Sequence, residues 1–138
     1  MVSKERREGR ERRAAQRAKV IMSNPLFTHS TAGDVQIIEL ALPLNIDAGQ
    51  FDFLNDRVGQ LVDERANARW VLDLGRVEYT GSAMLGLLVN LRQRIKQQGG
   101  SLVLCRLSDR MQKTLATCSL DRLFKTVSTR ETAVKVES

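Results

Sequence analysis

A chain of 138 residues with 42% apolar side chains has the length and content for one domain with an ordinary core, and a second domain is not required. The formal net charge of +6 suggests a nucleic-acid partner until it is located: residues 1–20 hold Lys4, Arg6, Arg7, Arg10, Arg12, Arg13, Arg17 and Lys19 against Glu5, Glu8 and Glu11, so the rest of the chain is near neutral. The longest apolar-plus-glycine run, Ala83 to Val89, is too short for a membrane span, and the leader lacks the apolar stretch of a secretory signal, so a soluble cytoplasmic protein is expected.

Residues 1–24 are expected to form a basic leader, disordered or loosely helical, because helix formers occur there without an apolar stripe. Met22-Ser23-Asn24-Pro25 reads as a natural start, which leaves open whether residues 1–21 are always translated. The domain proper is expected over 25–138. Leu26 to Thr31 and Val35 to Leu42, joined by the turn Ala32-Gly33-Asp34, read as a hairpin. Pro43 ends it. Asp47 then caps a helix whose apolar positions Phe51, Leu54, Val58, Leu61 and Val62 form one stripe, ending near Arg65. Trp70 to Leu74 is short and almost wholly apolar, as expected of a central strand, and the intervening helix makes it parallel to the strand before.

After a turn from Gly75 to Gly81, a second helix is expected to open at Ser82, to bury Leu85, Leu88, Leu91 and Ile95, and to stop at Gly99-Gly100. Its late cations Arg92, Arg94 and Lys96 suit the negative end of the helix dipole and read as a solvated face or a rim for an acidic partner. Ser101 to Leu107 is the next strand. Ser108 or Asp109 caps a third helix with Met111, Leu115 and Cys118 inward, Leu123 to Val127 forms an edge strand, and Ser128 to Val136 a short terminal helix. The order is β-β-α-β-α-β-α-β-α: an α/β domain with a small mixed sheet of four or five strands and about four helices.

Candidate chemistry is sparse. A hydroxyl at a helix N-cap lies where a phosphate would meet free backbone amides and the positive end of the dipole, so Ser82 has two readings, a helix cap or a charge switch, with Thr80 a weaker second acceptor. His29 is the only histidine and reads as a surface or partly packed side chain. Cys105 and Cys118 lie in apolar patterns without a CxxC pair and read as buried free thiols. Asp73 ends the central strand, where a turn or capping role is expected, and Asp47 and Asp109 read as helix caps. The chain has no GxxxxGK[ST] loop, no GxGxxG opening a helix and no metal-ligand spacing, so neither cofactor, metal nor catalysis is expected.

The run Val71-Leu72-Asp73-Leu74-Gly75-Arg76-Val77-Glu78-Tyr79-Thr80-Gly81-Ser82-Ala83-Met84-Leu85-Gly86-Leu87-Leu88 resembles the signature of STAS domains, the bacterial anti-sigma factor antagonists and their relatives, in which D-L-[ST]-x-V-x-[FY]-[IM]-D-S-S-G-L-G-x-L is typical. Arg94 to Gly100, the strand ending in Cys105, and Ser119 to Phe124 extend the similarity over roughly residues 25–136. The resemblance implies a domain that acts by binding an anti-sigma factor, often a serine-protein kinase, and that is phosphorylated at the serine opening this helix, here Ser82, with a phosphatase as a further partner. The binding face it implies comprises Tyr79, Thr80, Gly81, Ser82, Ala83 and Met84, with the exposed start of the second helix and the nearby end of the first. Gly81, Ala83 and Met84 depart from the family's acidic residue, second serine and glycine; Gly81 would leave the turn free to take a positive φ, and an outward Met84 would add an apolar contact. Two other readings are a STAS subunit of a transporter or sensory scaffold whose Ser82 is never phosphorylated, and a nucleic-acid-associated protein using residues 1–20 as a basic arm.

Overall fold

A computed structural model describes residues 19–136. Ten elements follow in order: β1 (Lys19–Asn24), β2 (Phe27–Ala32), β3 (Val35–Leu42), α1 (Ala48–Asp63), β4 (Arg69–Val77), α2 (Ser82–Gln97), β5 (Ser101–Cys105), α3 (Asp109–Thr117), β6 (Lys125–Val127) and α4 (Arg130–Lys135). The six strands form one sheet in sequence order, antiparallel from β1 to β3 and parallel from β3 to β6. Each parallel pair is linked by a helix, as a crossover requires. The mixed α/β architecture expected from the residue pattern is therefore present.

Three expectations of strands and cysteines are corrected. Residues 19–24 are not part of a leader: they pair with β2 as an additional edge strand, and the sheet has six strands instead of four or five. Residues 1–18 lie outside the described residues. Second, β4 runs on past Leu74 to Val77 because Ala41 and Leu42 of β3 still pair with Arg76 and Val77. Third, Cys118 is exposed, since it follows the last turn of α3, whose buried residues are Met111 and Leu115; only Cys105 is a buried thiol.

Alternation along the strands splits the core in two. One face carries Ile38, Leu40, Leu42, Trp70, Leu72, Leu74, Leu102 and Leu104, against which α1, α2 and α3 pack. Phe51, Leu54, Val58, Leu61 and Val62 of α1 are buried there at the expected spacing. The helix is closed at its start by a capping box: Asp47 Oδ1 accepts the Gln50 amide at 2.7 Å, and Gln50 Oε1 accepts the Asp47 amide at 3.1 Å. The opposite face is smaller, with Val35, Ile37, Val71, Val103 and Cys105 covered by Ala133 of α4.

His29 is fully buried, contrary to the surface or partly packed position expected, because β2 turns it onto the larger core face beside Trp70. Its ring stacks on that indole with centroids 5.8 Å apart, and Nε2 is hydrogen-bonded to Gln36 Oε1 at 2.8 Å. Nδ1 is left as a buried atom without a hydrogen-bond partner. Burial, and secondarily the Arg65 charge, hold its pKa below the usual 6.5, while Gln36 and Glu64 oppose the shift. A depressed pKa means that the unfolded chain takes up the proton first. Stability is therefore expected to be complete above pH 6.5 and to fall as pH drops from there through the folded-state pKa. Urea unfolding across this range should show that slope in the wild type. In His29→Gln, less stable at pH 7.5 by about 1–2 kcal/mol, the slope should flatten; equal slopes would exclude His29 as the cause.

Candidate functional site

The parallel strands end at one edge of the sheet, and the turn from β4 into α2 is built there around a buried carboxylate. β4 carries an extra residue at this point: Glu39 stands opposite Asp73, but Ala41 stands opposite Arg76. Such a bulge leaves a ladder amide without its regular partner. Asp73 Oδ1 accepts the Gly75 amide at 2.9 Å and Arg106 Nε at 2.8 Å, while Oδ2 accepts Arg130 Nε at 2.8 Å. Asp73 is wholly buried, so these charge-assisted bonds replace its lost hydration. Glu39 Oε2 completes the cluster, accepting Arg106 Nη2 at 3.1 Å and Arg130 Nη2 at 2.7 Å.

The cluster dictates its neighbours. A Cβ on Gly75 would occupy the space of the Arg106 guanidinium. Arg106 itself holds φ at 55°, a left-handed conformation that L side chains avoid, at the end of β5. Its hydrogen bond to Asp73 raises its pKa further above the ordinary guanidinium value. Burial, helped by the Asp73 charge, pushes the Cys105 thiol up to about 12 and leaves it unreactive. Arg130 ties the start of α4 to the sheet, and Arg69 Nη2 ties its end by donating to the Val134 and Val136 carbonyls at 3.0 and 3.1 Å.

Beyond the bulge, the chain is held to β3 by the Glu78 and Tyr79 amides, which donate to the Leu42 carbonyl at 2.8 and 3.4 Å. Tyr79 packs edge-on against Phe51 in the first turn of α1, with centroids 5.9 Å apart. The end of α1 beside the turn is therefore its start. Gly81 has φ −73° and ψ 177°, so the positive φ expected of it is not used. Space is its reason: a Cβ there would meet the ring and hydroxyl of Tyr79. The family's acidic residue at this position is thus incompatible with Tyr79 where it stands.

The N-cap of α2 is Gly81, which has no side chain to cap with, and Ser82 is the first residue inside the helix. The expected side-chain cap at Ser82 is therefore absent; the Met84 amide instead bonds the Gly81 carbonyl at 3.0 Å. Ser82 and Ala83 are exposed, and Tyr79, Thr80 and Gly81 are half-buried. Met84 is fully buried, which removes it from the expected binding face. Its place at the head of the 84, 87, 88, 91, 95 stripe explains this, and that spacing is readable in the sequence. α1 and α2 lie alongside with their starts at the same end, as the Asn90–Asn55 hydrogen bond (3.4 Å) and the Arg94–Asp63 ion pair (3.7 Å) align them. At that end Leu44 and Phe53 are 65% and 45% exposed, two large apolar side chains that the sequence did not single out. Among the described residues no group of three His, Cys, Asp or Glu side chains could hold a metal ion, and no helix is long and apolar enough to cross a membrane.

Comparison with known proteins places this geometry. The sequence profile of the STAS domain matches residues 29–133. BtrV of Bordetella bronchiseptica, a protein designated an anti-sigma factor antagonist, is 31% identical over 70 residues, 51% of this chain and 60% of that protein, so the match spans about three fifths of that relative's length. The anti-sigma-factor antagonist (STAS) domain protein of Planctomyces limnophilus superposes with a TM-score of 0.69 at 21% identity, covering 79% of this chain and 95% of that one. The Bacillus cell fate determinant SpoIIAA in its phosphorylated form superposes with a TM-score of 0.61 at 16% identity, over 80% and 99% of the two chains. At these identities the two structures bear on the fold.

Removing the buried carboxylate should release what it organises. Asp73→Ala is expected to lower the unfolding free energy by about 3 kcal/mol, because Arg106 and Arg130 lose their buried partner. The single tryptophan, Trp70, provides the fluorescence signal for urea unfolding. A loss below about 1 kcal/mol would contradict a central role for Asp73.

Proposed function

The chain belongs to the STAS domain family, and on that premise we propose that it is an anti-sigma factor antagonist that works by partner switching. It binds an anti-sigma factor of the serine-protein kinase type in the cytoplasm, and phosphorylation of Ser82 by that kinase ends the complex until a phosphatase restores it. The domain contributes binding and no catalysis of its own. The binding face comprises Tyr79, Thr80, Gly81, Ser82 and Ala83, with the start of α1, where Phe51 meets Tyr79, beside them.

The observation that carries this reading is the position of Ser82: exposed, first in a 16-residue helix, two residues before a fully buried anchor at Met84. A phosphate there adds about −1.5 to −2 charges to a surface that a partner must desolvate. It adds them at a helix start that has no side-chain cap and no acidic residue in its first turn. Modification therefore changes the surface without touching the core. The relative named an anti-sigma factor antagonist supports the partner class. Gly81 in place of the family's acidic residue, with Tyr79 filling that space, favours a second reading: a STAS subunit of another assembly whose Ser82 is never modified.

A pull-down from the native lysate with the full chain as bait separates the two. Wild type is expected to retain an ATPase-fold kinase, and Ser82→Asp to retain it at least roughly tenfold less, with a melting temperature within about 2 °C of wild type. Equal retention of one non-kinase partner by both baits would overturn the switch and favour the constitutive subunit.

A further inference from the structure

Ser82 opens α2; the other end of the helix carries a different surface. A rise of about 1.5 Å per residue puts Arg92 and Lys96 roughly 15 to 21 Å along the axis from Ser82. There a groove of about 160 Å³ is lined by Arg92, Lys96, Leu102, Leu123, Phe124 and Lys125, without a carboxylate. Arg92 and Lys96 are one turn apart and reach the same side of α2, while Lys125 begins the edge strand β6. Arg92 Nε donates to the Leu123 carbonyl at 2.8 Å, which fixes the guanidinium at the rim. None of the three cations makes an ion pair among the described residues, although their neighbour Arg94 is paired with Asp63. Leu123, an apolar side chain on the groove's wall, is 40% exposed.

Three cations held around an apolar site repel one another and attract carboxylates, and the groove has room for one aliphatic side chain. An aromatic platform of the kind that stacks bases is missing, since Phe124, the groove's only ring, is buried. We propose that this groove is a second docking surface, which takes an acidic segment of a partner protein with its carboxylates on Arg92, Lys96 and Lys125 and one aliphatic side chain against Leu123. It goes beyond the reading of Ser82 and does not depend on it: the two surfaces lie at opposite ends of α2, so one partner segment can stay docked while the other surface is switched.

The test uses the full chain and a fluorescein-labelled peptide with one leucine flanked by four glutamates on each side, titrated by fluorescence anisotropy with amide chemical shifts followed in parallel. Expected are saturable binding that weakens with salt, and shifts centred on residues 92–96 and 123–126. The pair Lys96→Glu and Lys125→Glu should weaken binding roughly tenfold or more. Leu123→Ser should abolish the preference for the leucine peptide over its alanine counterpart. Binding unchanged by the charge reversal would assign the peptide to the basic residues 4–19 and overturn the proposal. Absence of binding would overturn it as well, as would an oligothymidine of equal charge binding more tightly through the same lysines, which would make the surface one for nucleic acid.

Discussion

The end of the central strand depends on one buried carboxylate. Asp73 sits fully enclosed where β5 finishes beside β4, and it holds the bulge amide of Gly75, the guanidinium that follows β5 and the guanidinium that begins α4. A charge in that position is tolerable only with its donors in place, because an unpaired buried carboxylate would cost several kcal/mol. The arginines are constrained in return: Arg106 accepts a left-handed backbone, and Gly75 cedes its side-chain space. Three elements distant in sequence thereby share one anchor on the thin face of the sheet.

From that anchor the turn into α2 follows by short steps. The bulge sets the direction in which β4 leaves the sheet, the Leu42 carbonyl holds Glu78 and Tyr79, and Tyr79 leans on Phe51. Met84 then closes the other side by entering the core. Ser82 lies between these fixed points, exposed and with no side-chain capping bond at the helix start. Packed neighbours on both sides of an exposed hydroxyl suit a surface read by charge, since adding a phosphate need not reorganise the core. The late half of α2 presents a different chemistry, with Arg92 and Lys96 beside Leu123 and without an ion pair among the described residues.

What was legible in the sequence was local. The stripe from Phe51 to Val62, the cap at Asp47, the parallel pairing of β3 with β4 and the stop at Gly99-Gly100 each rest on spacings of a few residues, and all are present. What escaped was set by contacts far apart in the chain. Asp73 meets Arg106 and Arg130 at separations of 33 and 57 residues, and Glu39 meets Arg130 at 91, so nothing near Asp73 in sequence announces its partners. β1 was hidden because its few apolar residues follow directly on the charged leader. The inward turn of Met84 is available from the helical stripe, since positions 84, 87, 88, 91 and 95 share one face of α2.

Hydrogen–deuterium exchange of the full chain, alone and with the proposed kinase-type partner bound, tests the central claim most directly. Protection on binding is expected over residues 79–86 and at the start of α1, and it should disappear when Ser82 carries a phosphate while exchange in β4 and β5 stays unchanged. Protection absent from the Tyr79–Gly86 segment, or exchange in β4 and β5 that rises with phosphorylation, would contradict a surface switch built on an undisturbed core.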